Sequence, residues 1–346
     1  MIHRKSPYLR RRQPEWASLP DPDLLDSRLC DLRVPMHDTV FPRRMERIYR
    51  EVEKRGLRFR PHYWFGEEWF SPDGIPGIAV PFFLSHPRLM KLEDRQMFEV
   101  EGGTESWCMQ LLRHETGHAI DSAYRLHRRK LYKKHFGSFH DPYPDYYRPR
   151  PLSRNFVRHL DAWYAQSHPA EDFAETFAVW LQPGSRWRRR YAGWPAIKKI
   201  EYVEELMQEI AGATPPVRSR RQIAPVSRLR TTLREYYEKK RAHYLADYPN
   251  IPERDLLRLF SRDGGRRKAA AFLRRHRSRL RHVVARGTGE HPYTIDQVLK
   301  EMTVRCRELD LVLDRSEDRV RLEAAVLLSV RTINYIHRSG RNWIPL

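Results

Sequence analysis

Apolar residues recur three and four positions apart along most of the chain, and cluster tightly over only two short stretches, so the pattern predicts many helices and few strands. In the first half, helices are expected from about Arg43 to Lys54 (Met45, Ile48, Tyr49, Val52), from Glu105 to Arg125, from Pro169 to Leu181 and from Ala196 to Ile210. In the third of these, Pro169 stands in the first turn, where its missing N–H costs little. In the Glu105–Arg125 helix, Trp107, Leu111, Leu112, His118, Ile120 and Tyr124 fill one broad face. Leu57–Phe65 and Ile78–Phe83 are dense in β-branched and aromatic residues, bounded by Pro and Gly, and read as strands. Pro81 would confine the second strand to a sheet edge, where an extended peptide could add main-chain hydrogen bonds, although a buried strand fits the same residues. Beyond residue 225 the spacing is helical throughout: Val226–Leu245, Arg254–Phe260, Arg266–Ala285, Thr294–Leu313 and Glu317–Ile336. The expected fold is α+β, followed by an all-α domain.

Punctuation and charge divide the chain further. Residues 1–29 are rich in Pro, Arg and Asp and predict an irregular lead-in; 30–213 form a first domain; 214–225 read as a linker; 226–346 form the helical domain. Phe136–Pro151, loaded with Tyr, Pro, His and Asp, has loop composition and is expected to rim an active site. The formal net charge is +21, and its distribution is uneven: residues 217–346 carry 30 basic and 15 acidic side chains, whereas the first 216 residues carry only +6. Cys30, Cys108 and Cys306 are scattered and form no C-x-x-C pair, which excludes a disulfide framework and a thiolate zinc site and suits a reducing compartment. The basic run Arg10–Arg12 is followed by Gln13, Pro14 and Glu15 instead of an apolar stretch, so no secretory signal is read. No apolar run is long enough to span a bilayer, and a cytoplasmic location is expected.

The chemistry sits at His114-Glu115-Thr116-Gly117-His118. In this H-E-x-x-H pattern two histidines four apart project from one helical face and can chelate zinc, while the Glu between them points beside the metal. Zinc acidifies a bound water and polarises a carbonyl, and a neighbouring carboxylate can take the water's proton during attack. Five residues arise by chance in roughly one chain of this composition in twenty. Placement mid-helix, with apolar residues ahead, separates this pattern from a loop coincidence. A catalytic zinc needs a third protein ligand. Position 124 is Tyr, which excludes a third histidine six residues after the motif. The richest downstream candidate is His168-Pro169-Ala170-Glu171-Asp172-Phe173-Ala174-Glu175, where Glu171 and Glu175 share a helical face, Ala174 and Ala178 keep the adjoining surface slim, and His168 competes as a ligand. His135 and His140 lie in or beside the loop and read as rim residues.

The pairing of H-E-T-G-H-A-I-D with Y-A-Q-S-H-P-A-E-D-F-A-E-T-F-A resembles the zinc-binding metallopeptidases of bacteria, and more distantly the catalytic domain of anthrax lethal factor and the Pro-Pro endopeptidases. The resemblance covers about Ala79 to Leu181 and implies a zincin-like domain over residues 30–213 that binds Zn2+ and cleaves a peptide or protein substrate. It implies His114, His118 and Glu171 as ligands, Glu115 as general base, and Tyr164, seven residues before Glu171, as a phenol facing the substrate. Asp121 and Glu175 are expected behind the ligands, since metal-binding histidines usually pass their other ring N–H to a carboxylate.

The resemblance says nothing of the basic helices. Arg266 to Arg281 interleaves cations with Ala269, Ala270, Ala271, Phe272, Leu273 and Leu280, so one side can pack while the other offers Arg to nucleic acid or an acidic partner. The rival to a peptidase is accordingly a non-catalytic zinc-containing protein that binds through these helices.

Overall fold

The computed structural model describes residues 13–144, 146–245, 252–263, 266–338 and 344–345. Residues 1–12, including the basic run Arg10–Arg12, lie outside them. The described residues fall into two compact units: those within 13–95, 100–236 and 344–345 form the first, those within 96–99 and 237–338 the second. Among the described residues no helix is long and apolar enough to cross a membrane.

In the first unit, α1 (Phe41–Glu53) precedes strands β1 (His62–Gly66) and β2 (Gly77–Pro81), followed by α2 (Pro87–Met97, as far as Arg95), α3 (Glu105–Tyr124), α4 (Lys130–Phe136), α5 (Pro169–Leu181) and α6 (Ile197–Glu209). The described chain is predominantly helical, and its strand content is smaller than an α+β reading suggests. β1 and β2 pair in parallel, His62 opposite Gly77 and Gly66 opposite Pro81; a second pair joins Tyr146–Tyr147 antiparallel to Ile344–Pro345. β2 is not an open border for a peptide. Every one of its residues is buried, and Ala79 donates its N–H to the Phe70 carbonyl at 2.8 Å on the side away from β1. The strand expected to continue to Phe83 turns instead into a 3-10 segment at Phe82–Ser85.

α3 departs from the amphipathic helix that its spacing predicts, because it is buried almost all round, Arg113 and Glu115 included. Thr104 caps its start by accepting from the Trp107 N–H, and Arg125, in the left-handed region at φ 54°, ends it. The buried cation is matched: Arg113 donates from Nε and Nη2 to both oxygens of Glu51 on α1, at 2.7 and 2.9 Å. Removing one partner strands the other charge in a dry interior, so Glu51→Ala should cost about 3–5 kcal/mol of stability, readable by denaturant unfolding.

The Pro- and Arg-rich segment after residue 212 lies against this unit. Val217 N–H reaches the Ala123 carbonyl (3.1 Å), the Trp64 indole donates to the Ile223 carbonyl (3.0 Å), and Cys30 N–H to the Leu229 carbonyl (2.9 Å). Ahead of α1, residues 13–29 include a 3-10 turn at Glu15–Ser18 and a helical turn at Asp21–Leu25, pinned by the Trp16 indole to the Leu32 carbonyl at 2.7 Å. The three cysteines are free thiols.

The second unit holds α7 (Leu233–Leu245, from Tyr237 onward), α8 (Glu253–Leu259), α9 (Ala269–Thr288), α10 (Pro292–Glu308) and α11 (Glu317–Arg338) around a core that includes Leu256, Phe272, Leu273, Leu280, Ile295, Leu299, Met302, Val320 and Leu328. The helix expected from Val226 begins only at Leu233, after a 3-10 turn at Val226–Arg228. Much of the arginine row on α9 is consumed internally. Arg277 and Arg281 both bind the fully buried Asp296, Arg267, Arg275 and His276 bind Glu317, and the Arg281 guanidinium lies 3.8 Å from the Phe98 ring centroid. Arg274, Arg279 and Arg286 are exposed, and Arg267 and Arg275 stay 60% and 66% exposed although each pairs with Glu317, so the cationic face is partly neutralised by Glu317.

His291 caps α10 by accepting from the Tyr293 N–H at 3.1 Å and stacks on Tyr244, with ring centroids 3.9 Å apart. Burial, helped by Lys240 and His243, lowers its pKa to about 3, although Glu99, itself half-exposed, lies 3.6 Å away. Between pH 6.5 and 3 the unfolded chain therefore binds a proton that the folded unit refuses. Stability is lost as pH falls through that window, by about 1.4 kcal/mol per unit of depression. His291→Asn keeps a capping side chain without the titration, and the second unit of this variant should unfold less steeply with acid in pH-dependent thermal melts.

Candidate metal centre

α3 and α5 cross closely because small residues meet at the crossing. A β-carbon on Gly117 would stand 2.8 Å from Ala174 Cα and 3.1 Å from its carbonyl oxygen. Gly117→Ala would gain up to about 1 kcal/mol of helix propensity, but the obstruction is backbone and cannot rotate away. A net loss of about 1–3 kcal/mol is expected by thermal unfolding, together with weaker zinc binding as the helices part.

The close crossing brings together three side chains from two helices. His114 Nε2 and His118 Nε2 are 3.1 Å apart, and Glu171 Oε2 lies 3.0 Å from the first and 3.1 Å from the second. All three side chains are buried or nearly so, and they form the one cluster of metal-ligating groups found among the described residues. Zinc held tetrahedrally at about 2.0–2.1 Å sets its donors roughly 3.3 Å apart, so two imidazole nitrogens and one carboxylate oxygen at this spacing fit the ion with slight expansion. The chemistry of the set fits as well. Burial works against charge on each group, yet contact with Glu171, and for His114 also with Glu175, pushes the imidazoles up, and the two imidazoles hold Glu171 well below the usual carboxylate range. A cation placed between them would take over that compensation.

The flanking groups fix the orientation of the donors. Glu175, one turn beyond Glu171, accepts from His114 Nδ1 at 2.8 Å through Oε1 and from the Leu160 N–H at 2.8 Å through Oε2. With Nδ1 protonated, the Nε2 lone pair is left to face the cluster. Asp121 does not stand behind either ligand. Lying near the C-terminal end of α3, its carboxylate instead takes the His127 backbone N–H at 2.7 Å and the His127 ring at 3.1 Å, ordering the turn after the helix. His168 is also committed elsewhere: it caps α5, Nδ1 accepting from the Ala170 N–H at 3.1 Å and Nε2 donating to the Asp141 carbonyl at 2.7 Å. Both ring nitrogens are occupied, so His168 does not complete the cluster. His135 stacks on Tyr202, and His140 sits edge-on to Phe139.

Glu115 Oε2 is buried without a hydrogen-bond partner, and burial raises the carboxyl's pKa. An unsatisfied buried carboxylate oxygen beside two histidines is an uncommon arrangement, and a polar molecule between them would satisfy it. Tyr164 lies against His114, with ring centroids 5.6 Å apart. It follows two residues in the left-handed region, Ala162 (φ 60°) and Trp163 (φ 55°), a strained kink in the chain just before it. The kink is anchored upstream, where His159 Nε2 contacts the Gln110 carbonyl of α3 at 2.9 Å. Burial, reinforced by Glu171 and Glu115, pushes the Tyr164 phenol well above its ordinary range, so it stays protonated.

One residue was not singled out by sequence reasoning. Tyr143 donates its hydroxyl to Glu171 Oε1 at 2.8 Å and stacks on His168, with centroids 3.8 Å apart and planes 17° from parallel. The only signal available was its place in the aromatic loop, which marks a rim without selecting among its tyrosines.

Residues 108–185 match the model of a family described as "putative zinc-binding metallo-peptidase". That span runs from within α3 to just past α5 and contains His114, Glu115, His118, Tyr143, Tyr164, Glu171 and Glu175. No curated protein and no solved structure matches the chain, so the wider likeness to the lethal-factor and Pro-Pro endopeptidase domains stands on motif residues alone.

Proposed function

We propose that the first unit is a zinc-dependent peptidase in which His114, His118 and Glu171 hold the ion, Glu115 is the general base and Tyr164 assists at the carbonyl. The observation that carries this reading is the convergence of three ligand atoms within 3.1 Å of one another beside the partnerless Oε2 of Glu115. Zinc, when bound there, acidifies water and polarises the scissile carbonyl. Glu115 takes the proton of the attacking water; its raised pKa suits it to return that proton to the departing amine. Glu175 holds His114 in the tautomer that presents Nε2. The Tyr164 phenol donates a hydrogen bond to the oxygen that gains charge during attack. A likeness over residues 108–185 to a zinc-binding metallopeptidase family supports peptide or protein as the substrate class. The test pairs metal analysis of the purified chain with cleavage of a peptide library. About one zinc per chain and chelator-sensitive cleavage are expected, whereas zinc without cleavage of any peptide would favour a non-catalytic binding protein.

A further inference from the structure

Glu171 has two carboxylate oxygens, and the structure gives them different neighbours. Oε2 faces His114 Nε2 and His118 Nε2 at 3.0 and 3.1 Å, while Oε1 accepts the Tyr143 hydroxyl at 2.8 Å. A carboxylate closing on an ion with both oxygens takes up a coordination position that a catalytic site must leave to water and substrate. A phenol hydrogen-bonded to one oxygen opposes that closure, and hydrogen bonds to a charged oxygen in a buried place are the strong ones. We propose that Tyr143 is a positioning residue that holds Glu171 to one-oxygen coordination and so keeps a corner of the ion open. The proposal rests on the reading of His114, His118 and Glu171 as metal ligands.

The way Tyr143 is held supports this role. Its ring lies against His168, and His168 is fixed at both nitrogens, by the Ala170 N–H and by the Asp141 carbonyl. His168 is the residue just before α5, three positions ahead of Glu171, so the phenol is registered to the ligand through the first turn of the ligand's own helix. Asp141 lies two residues before Tyr143, so the same histidine also ties down the loop that carries the phenol. The loop is thereby read by one ring and reports to one oxygen. Tyr143 is 52% exposed, so its hydroxyl reaches the centre from the surface, while one face of its ring covers the buried His168.

Tyr143→Phe removes the hydroxyl and keeps the stacked ring. The full-length parent and variant are loaded with Co2+, whose visible absorption bands weaken as coordination number rises above four, and zinc affinity is measured in parallel by chelator competition. The expected result is weaker Co2+ bands in Tyr143→Phe, with zinc affinity lower by about 10–100-fold, the usual cost of removing a partner of a metal ligand. A residue that merely braces the loop would move the thermal midpoint of the metal-free chain and leave the Co2+ spectrum alone. An unchanged spectrum in the variant, beside clear bands in the parent, overturns the proposal and leaves the metal site standing. Absence of Co2+ bands and of zinc binding in the parent itself overturns the metal reading, and this proposal with it.

Discussion

Glu115→Gln should leave about one zinc per chain and lower kcat/KM for peptide cleavage by about 10²–10⁴-fold, the contribution of a positioned general base. The two halves of this result separate for a structural reason. Glu115 is not among the three atoms that converge on one point; its Oε2 stands beside them, buried and without a partner. Gln has nearly the same shape, so the helix crossing and the ligands should be undisturbed, but an amide cannot accept the proton. Retained zinc with cleavage equal to the parent would contradict the assigned base. Loss of zinc would show that Glu115 helps to hold the ion.

Glu171→Ala should have the larger effect on metal. It removes one of three donors and leaves His114 and His118 with their nitrogens 3.1 Å apart and no negative oxygen between them. Zinc affinity measured by chelator competition should fall well beyond the about 10–100-fold typical of outer partners, and cleavage should vanish with it. The contrasting variant is His168→Ala. Since His168 caps α5 and has both nitrogens engaged, its loss should appear as about 0.5–2 kcal/mol of stability, with a far smaller change in zinc affinity than Glu171→Ala. Zinc retention by Glu171→Ala equal to the parent would remove the carboxylate from the ligand set.

Long amphipathic stretches were legible because burying one helical face requires apolar residues at a regular spacing, and α1, α5, α6, α8, α9 and α11 follow it to within a few residues, whereas α7 starts seven residues later than expected and α10 ends five residues earlier. Where local spacing did not govern, reading from sequence was weaker. α4 ends where the loop begins by composition and no element was expected over it, spacing alone left β2 equally readable as an edge or a buried strand, and residues 226–232 look helical although Ser27 to Cys30 hold that segment by backbone hydrogen bonds. Each outcome is set by partners distant in sequence.

The same division runs through the site. Sequence by itself determined the His114/Glu115/His118 face and the Glu171/Glu175 face, because four-residue spacing on a helix places side chains together whatever surrounds them. Only tertiary structure decided that Gly117 meets Ala174 and so brings the two faces within reach of one ion. It alone gave Glu175 to His114, turned Asp121 to His127, engaged His168 as a cap, and set Tyr143 on Glu171. The physical reason is range: helical periodicity is carried by residues three and four apart, whereas the allocation of buried hydrogen bonds depends on which loops and helices finally compete for each donor and acceptor.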